Sequence, residues 1–421
     1  MVIQKVSIKN FKGIHDASIE FKPGFNLIKG ENGKGKTSIL EAISVGLGGF
    51  VAGFNDVNTR HFSKDEIRKE LSLAGDGSCD ERYIVPTEVY LEVSLNGEEY
   101  RWTRGRTSVS ASRSTIQPRN ICKIAQNMSM SEEAEYPVII YEGAGRVWSQ
   151  KRERTENILK KKYSRSVGYI DALSEASNIK LLLNWCVKME QVAWQKGKKI
   201  TEYEAAKKAV SDFMNYINGY GDYNIFYDKQ LEELMYRAEG TLLPISSLSA
   251  GYQSLIWMVF DIAYRMAVLN PNKKADICET KGIVLIDEID MHLHPKWQWN
   301  IIDSLRKVFP QVQFIATTHA PVLFASARDV WIVDIENEEY SYSWSHYGID
   351  INTALEDYQN TTQIPVNIQQ MVDKFYDAMD KGEYENAKVI LDEMDVLTAP
   401  DHSILIQMRT RYEFETMGIE E

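Results

Sequence analysis

The sequence predicts an α/β fold: a mixed sheet flanked by helices, an antiparallel β subdomain beside it, a helical insertion in the middle and a helical tail at the end. Three observations carry this. The apolar run FNLIKG passes through a glycine-rich turn into a helical pattern over 37–45. GIVLIDE and QVQFIATTH are short apolar runs of the kind that parallel sheets bury on both faces. Residues 150–240 switch to long, charged, amphipathic segments with few glycines.

Taken in order, residues 1–29 read as a small antiparallel unit, since VIQKVSIKNF and ASIEF alternate apolar and polar positions. Ile39, Leu40, Ala42 and Ile43 recur at helical spacing after the glycine turn. TEVYLEVSL and EEYRWTRGR are two strands around Asn96-Gly97, a dipeptide that accepts the positive φ angles of a tight hairpin. YPVIIYE reads as a buried strand. IKLLLNWCVKMEQVAW and TEYEAAKKAVSDFMNYI are amphipathic helices without the sustained heptads of a coiled-coil arm. Strand–turn–helix grammar returns at 241, DVWIVDI and YSYSW read as edge strands, and a helical hairpin or bundle with acidic faces follows from about 362. The expected segments are 1–149 and 241–350 for the two lobes of the α/β head, 150–240 for the insertion and 351–421 for the tail.

A chain of 421 residues with 44% hydrophobic content is long enough for two or three domains, each with its own core. The N-terminus alternates and has no uninterrupted apolar stretch, so neither a signal peptide nor a membrane anchor is expected, and the expected compartment is the cytoplasm. Cys79, Cys122, Cys186 and Cys278 lie far apart with no CxxC pair and read as buried thiols rather than zinc ligands or a disulfide framework. A net charge of −12 argues against a protein coated by nucleic acid and leaves room for a local basic groove. Two basic runs could line one: Arg101, Arg104, Arg106, Arg113, Arg119 and Lys123, and then Lys151, Arg152, Arg154, Lys160, Lys161, Lys162 and Arg165. Ser-rich neighbours and the acidic chain favour a solvated or disordered basic loop instead.

Gly30-Glu31-Asn32-Gly33-Lys34-Gly35-Lys36-Thr37, followed by Ser38, fits G-x-x-x-x-G-K-[ST] between a strand and a helix. Glycines let backbone N–H groups face inward around a phosphate, and the new helix brings the positive end of its dipole to the same spot. Lys36 would reach the β- and γ-phosphates of ATP, and the Thr37 hydroxyl would ligate Mg²⁺. In GIVLIDEID, four apolar residues deliver Asp287 and Glu288 to a strand's carboxyl end. Asp287 would hold the Mg²⁺, and Glu288 would polarise the attacking water. The similar VILDEMD at 389–395 has Ala387, Ile390, Leu391 and Met394 at helical spacing, which leaves Asp392 and Glu393 on a solvated face.

Ser247-Leu248-Ser249-Ala250-Gly251-Tyr252-Gln253 precedes a helical stretch, so that Ser249 and backbone amides would form a second anion site. This segment resembles the ABC signature. The resemblance implies that Ser249 and Gly251 act on nucleotide held by an opposing protomer, in a head-to-tail homodimer or higher oligomer. His319, in ATTHAPVL, matches the switch histidine that contacts the γ-phosphate in that family. Asp290-Met291-His292-Leu293-His294-Pro295 falls at the D-loop, which touches the other subunit; the alternative is metal binding by Asp290, His292 and His294.

IKNFKGI, ENGKGKTSILEAI, IDEIDMHLHPKWQ and ATTHAPVL resemble the ABC ATPases of the RecF, SMC and OLD group over most of the chain outside the insertion. YPVIIYEGAGRVW and SSLSAGYQSLIWMVFDIAYR look like the PtuA-like ATPases of the Septu and retron anti-phage systems, which implies an HNH nuclease partner. Where many ABC proteins end the strand before the helical lobe in a glutamine that senses the γ-phosphate, this chain continues as Glu142-Gly143-Ala144-Gly145-Arg146, with Gln150 farther on. Glu142 or Arg146 is placed to take that role. Lys12 matches a basic position near the nucleotide or is a surface lysine. No TOPRIM or HNH motif follows His319, so any nuclease is expected to be a separate protein, with Phe375, Tyr376 and Met379 of the tail as a docking face or as part of a capping subdomain. The resemblance implies an ATPase that gates a partner nuclease. Two alternatives stand beside it: a RecF-like ATPase that binds nucleic acid (DNA, or the RNA/DNA of a retron) and a scaffold that scarcely hydrolyses ATP.

Overall fold

The computed structural model describes residues 1–73, 79–145, 164–175, 178–231, 233–238, 240–336, 339–350, 353–354, 364–399 and 402–417. The chain divides into two compact units, 1–349 and 350–421. Along the first come β1 (Val2–Phe11), β2 (Ile14–Glu20), β3 (Phe25–Gly30), α1 (Lys36–Val51), β4 (Lys69–Leu73), β5 (Cys79–Tyr83), β6 (Thr87–Leu95), β7 (Glu98–Arg106), β8 (Thr115–Gln117), α2 (Asn120–Met130) and β9 (Val138–Glu142). Then follow α3 (Ile179–Lys196), α4 (Thr201–Asn218), β10 (Tyr223–Asp228), β11 (Glu233–Ala238), β12 (Thr241–Pro244) and α5 (Ala250–Leu269). The unit closes with β13 (Gly282–Ile286), α6 (Pro295–Gln298), α7 (Ile301–Val308), β14 (Val312–Thr317), α8 (Pro321–Ser326), β15 (Val330–Glu336) and β16 (Glu339–Trp344).

Two sheets sandwich α1. One is antiparallel, in the order β2-β1-β6-β7-β8; the other runs β16-β15-β3-β14-β13-β9. All neighbours in the second sheet are parallel except the edge pair β15–β16. DVWIVDI is therefore an inner strand beside β3 and only YSYSW lies at the edge, a correction to the reading of both as edges. β6 alternates strictly, burying Thr87, Val89, Leu91, Val93 and Leu95, whereas β13 and β14 are buried at every position because both their faces are covered. Contact with both sheets explains why α1 is buried almost all round. Its glycines set how close the antiparallel sheet comes: a Cβ on Gly46 would lie 2.8 Å from Leu91, and one on Gly49 2.7 Å from the Trp102 indole nitrogen. Gln313 ties the sheets together, accepting from Ile3 N–H at 2.7 Å and donating to the carbonyls of Ile3 and Lys22 at 2.9 Å each.

Within 150–240, helix was expected throughout, yet β10 and β11 fall there and, with β12 just beyond, form a three-stranded antiparallel sheet. Their alternation spans only four to six residues with half-exposed positions, too short a pattern to stand out beside two 18-residue helices. Two residues of the first basic run are not available to line a groove. Arg104 is fully buried, bonded to the Val45 carbonyl, Thr59 and His61, and Arg106 is buried and bonded to main-chain carbonyls. Most of the second run lies outside the described residues; Arg165 donates to the Leu269 and Ala134 carbonyls. The cysteines also differ from expectation, since only Cys186 is buried and Cys79 is exposed.

The second unit is a three-helix bundle, Val366–Asp380, Tyr384–Leu397 and Ser403–Thr416. Phe375, Met379, Leu391, Met394, Leu405 and Met408 make its core, with Tyr376 packed against it. Phe375 and Met379 are therefore unavailable as a docking face. Asp392 and Glu393 are exposed. Among the described residues no helix is long and apolar enough to cross a membrane.

Candidate nucleotide site

The phosphate loop leaves the carboxyl end of β3 and enters α1. Gly33 and Gly35 have φ angles of 82° and 90°, a left-handed conformation that a side chain would strain. Glu31, Asn32, Gly33 and Lys34 are exposed, and Thr37 and Ser38 sit half-buried in the first turn of the helix. Lys36 is buried, its ammonium donating to the carbonyls of Gly30 at 2.6 Å and Glu31 at 3.0 Å. Burial pulls its pKa below the usual lysine value, against the opposing pull of Asp287, Glu288 and Asp290.

β13 runs beside β9 and β14, and its carboxyl end brings Asp287 to the phosphate loop. The buried Asp287 carboxylate accepts from the Thr37 hydroxyl at 3.1 Å and from Thr317 at 2.6 Å. Thr317 also accepts from the Glu288 N–H at 2.8 Å. Glu288 has φ of 47°, an expensive conformation for a residue with a Cβ, as the chain turns away from the end of the strand. Asp290 accepts from Thr318 at 2.6 Å and from the His319 N–H at 3.4 Å, which anchors the histidine's segment to the acidic one. Thr317 and Thr318 were not singled out from sequence. The signal was their position between an apolar strand and His319.

The donor set passes a chemical test for the groups the sequence implies. A hydroxyl and a carboxylate 3.1 Å apart are hard oxygen donors suited to Mg²⁺, which takes one or two protein oxygens and keeps several waters. A buried ammonium at a glycine loop capping a helix suits a polyphosphate.

The signature segment stands apart from this cluster. Ser249 is exposed at the amino end of α5, and among the described residues no hydrogen bond joins it or Gly251 to the phosphate loop. Gly251 instead meets the D-loop, where a Cβ would lie 2.5 Å from the His292 carbonyl oxygen. Tyr252 packs edge-on against Trp297 with ring centroids 4.5 Å apart. His292 and His294 are exposed, the His294 Nδ1 accepts from Lys296 N–H at 3.2 Å, and no cluster of three metal-binding side chains occurs among the described residues.

Lys12 forms an ion pair with Glu41, one turn of α1 beyond Thr37. Both line a polar cleft of about 530 Å³ with Arg60, Glu66, Asp171 and Glu175. Burial raises the Glu41 pKa while Lys12 holds it down. At the end of β9 the Tyr141 phenol is buried, and burial raises its pKa strongly, with Asp287 and then Glu41 acting in the same direction. Glu142 is also buried, but by strand alternation its side chain leaves the other face, where its charge acts on Arg265 of α5. Its main-chain carbonyl accepts from the Asp287 N–H at 2.8 Å. The face that holds Asp287 is thus not the face of Glu142, which corrects its placement as a sensor; Arg146 and Gln150 lie outside the described residues.

Fold and cluster together fit a P-loop ATPase of the SMC/RecF type. The family model described as "AAA domain" matches residues 5–218, just over half of the chain, and a second AAA-domain model matches 206–325. The chain belongs to this AAA-domain family. It is 26% identical over 391 residues to "Retron Ec83 probable ATPase" of Escherichia coli, covering 79% of this chain and 71% of the relative. It is 22% identical to "Septu protein PtuA" of Bacillus thuringiensis, covering 96% of each. An Smc head solved with the C-winged helix domain of ScpA superposes with a TM-score of 0.50 at 18% identity, over 82% of this chain and 98% of that one, a likeness of fold alone.

Proposed function

We propose that this chain binds Mg·ATP at Gly30–Ser38, hydrolyses it between two head-to-tail copies, and through that cycle gates a partner HNH nuclease in anti-phage defence, as the Septu and retron relatives suggest. The observation that carries the hydrolytic part is the shared hydrogen-bond cluster of Thr37, Asp287, Thr317 and Glu288. Thr37 and Asp287 would hold the metal, which would supply positive charge beside the transferring phosphate. Lys36 neutralises the phosphate from the other side, and its buried ammonium is released from its own loop carbonyls to do so. Glu288, next in the chain after Asp287, takes the proton of the attacking water. Asp290 anchors the main chain of His319, whose side chain would contact the γ-phosphate.

The exposed Ser249 and the contact of Gly251 with His292 support the dimeric part. The buried Gly251 packs the signature against the D-loop, so that the exposed Ser249 and His292 would face the neighbour's nucleotide. A monomer then binds ATP and turns it over poorly. The RecF-like reading loses support because Arg104 and Arg106 face inward; Glu288 argues against a scaffold that does not hydrolyse. Nucleotide binding, turnover and sedimentation of Lys36→Ala and Glu288→Gln test the proposal. The first variant should neither bind nor assemble. The second should bind, assemble and fail to turn over. Wild-type turnover and assembly in both would remove the mechanism, and loss of defence with no effect on a co-expressed HNH protein would remove the gating.

A further inference from the structure

The chain on either side of His319 is pinned by one hydroxyl. Thr318 is buried; it donates to the Asp290 carboxylate at 2.6 Å and accepts from the Ala320 N–H at 3.0 Å. The same Asp290 oxygen accepts, at the longer distance of 3.4 Å, from the His319 N–H. The Thr318 hydroxyl therefore closes a turn around the histidine, and the carboxylate ties that turn to the chain that follows Glu288. Neither Asp290 nor Thr318 has a part in the chemistry of Lys36, Thr37, Asp287 and Glu288.

A side chain can place another only if it is itself fixed, and the segment that carries Asp290 is. The Ile289 N–H donates to the Thr317 carbonyl at 3.0 Å, which fastens the residue before Asp290 to the strand before Thr318. Two overlapping turns follow: the Met291 N–H donates to the Glu288 carbonyl at 3.0 Å and the Leu293 N–H to the Asp290 carbonyl at 3.1 Å. Leu293 is buried, and the His292 carbonyl lies so close to Gly251 that a Cβ there would come within 2.5 Å of it. Asp290 thus sits in a short loop held by β14 on one side and by the start of α5 on the other.

We infer that Asp290 is a positioning residue for the proposed hydrolysis, acting through Thr318 and the main chain of His319 to set the switch histidine. The inference rests on the ATPase reading. The role needs an acceptor at position 290 and a hydroxyl at 318, not a charge. Asparagine, whose amide oxygen accepts the same two bonds, should therefore replace Asp290, and serine should replace Thr318. The competing role is electrostatic, since the Asp290 charge also acts on Lys36; asparagine separates the two because it keeps the acceptor and removes the charge.

Steady-state ATP turnover of the full chain tests this. Asp290→Ala and Thr318→Val should each lower kcat by about tenfold or more with KM within about twofold, whereas Asp290→Asn and Thr318→Ser should stay within about threefold of wild type. Asp290→Ala added to His319→Ala should lower turnover no further than His319→Ala alone, because a residue that acts through the histidine then has nothing left to place. Melting temperatures identify a variant that fails to fold, and Thr318→Val, alone and with His319→Ala, carries the test if Asp290→Ala does. Equal losses in Asp290→Asn and Asp290→Ala would assign the effect to charge, and additive losses in the double variant would give Asp290 a role apart from His319. Either result overturns the inference, as does wild-type kcat in both Asp290→Ala and Thr318→Val. Wild-type protein without turnover would instead sink the ATPase reading, and this inference with it.

Discussion

The Thr317 hydroxyl lies 2.6 Å from the Asp287 carboxylate and 2.8 Å from the Glu288 main-chain nitrogen, so a single side chain on β14 fixes the direction of two acidic residues on the neighbouring strand. Because one hydroxyl serves both, its loss should be felt in catalysis before binding. Thr317→Val, nearly the same in volume, should lower turnover by about tenfold or more, with Lys36-dependent nucleotide affinity changing much less. Steady-state kinetics beside calorimetry separates the two; equal losses in both would mean that Thr317 only holds the strand.

Glu288→Gln should lower turnover by about 10²–10⁴-fold while ATP binding persists, the range for a lost general base. Light scattering should then show the ATP-bound assembly accumulating. Turnover within a few-fold of wild type would assign the base elsewhere.

Gly251→Ala places a methyl group 2.5 Å from the His292 carbonyl oxygen, which is main chain and can yield only if the D-loop moves. Overpacking of this kind costs about 1–3 kcal/mol. A lowered melting temperature should accompany weaker ATP-dependent assembly, measured by sedimentation. Unaltered assembly would separate this contact from the proposed dimer surface.

The His61 Nδ1 lies 3.0 Å from Arg104 and accepts from the Ser114 N–H at 3.1 Å, and burial, then Arg104 and Arg113, hold its pKa below the usual histidine value. The folded state thus binds fewer protons than the unfolded one just below the ordinary pKa. Its contribution to stability is complete above about pH 6.5 and falls as pH drops through the depressed folded value. Melting temperatures across pH 5–7 should show this decline in the wild type and less of it in His61→Asn, whose amide oxygen can accept the same bonds. Parallel curves would exclude His61 as its source.

Phe375 is fully buried in the tail bundle and Phe414 is 81% exposed. Phe375→Ala should destabilise the bundle by about 3–5 kcal/mol, and Phe414→Ala by less than about 0.5 kcal/mol. Hydrogen exchange over 364–417 would register the difference; similar protection in both variants would contradict the assigned core.

The features legible in the sequence were those written in consecutive residues. Gly30–Thr37, the strand that delivers Asp287 and Glu288, and the Asn96-Gly97 hairpin each depend on local backbone geometry, which a short pattern specifies completely. The burial of Arg104 and Arg106 and the inner place of DVWIVDI were not legible, because both depend on which surfaces are brought over them. The same holds for β10–β12, whose half-exposed strands gain their pairing only from one another. The sequence by itself determined that a phosphate loop and an acidic strand end exist. Only the tertiary structure decided that Thr317 aligns the acids, that Phe375 and Met379 belong to a core, and that Glu142 does not share the face of Asp287. Side-chain direction at a site is set by strand register across the sheet, and register is a relation between residues more than a hundred positions apart.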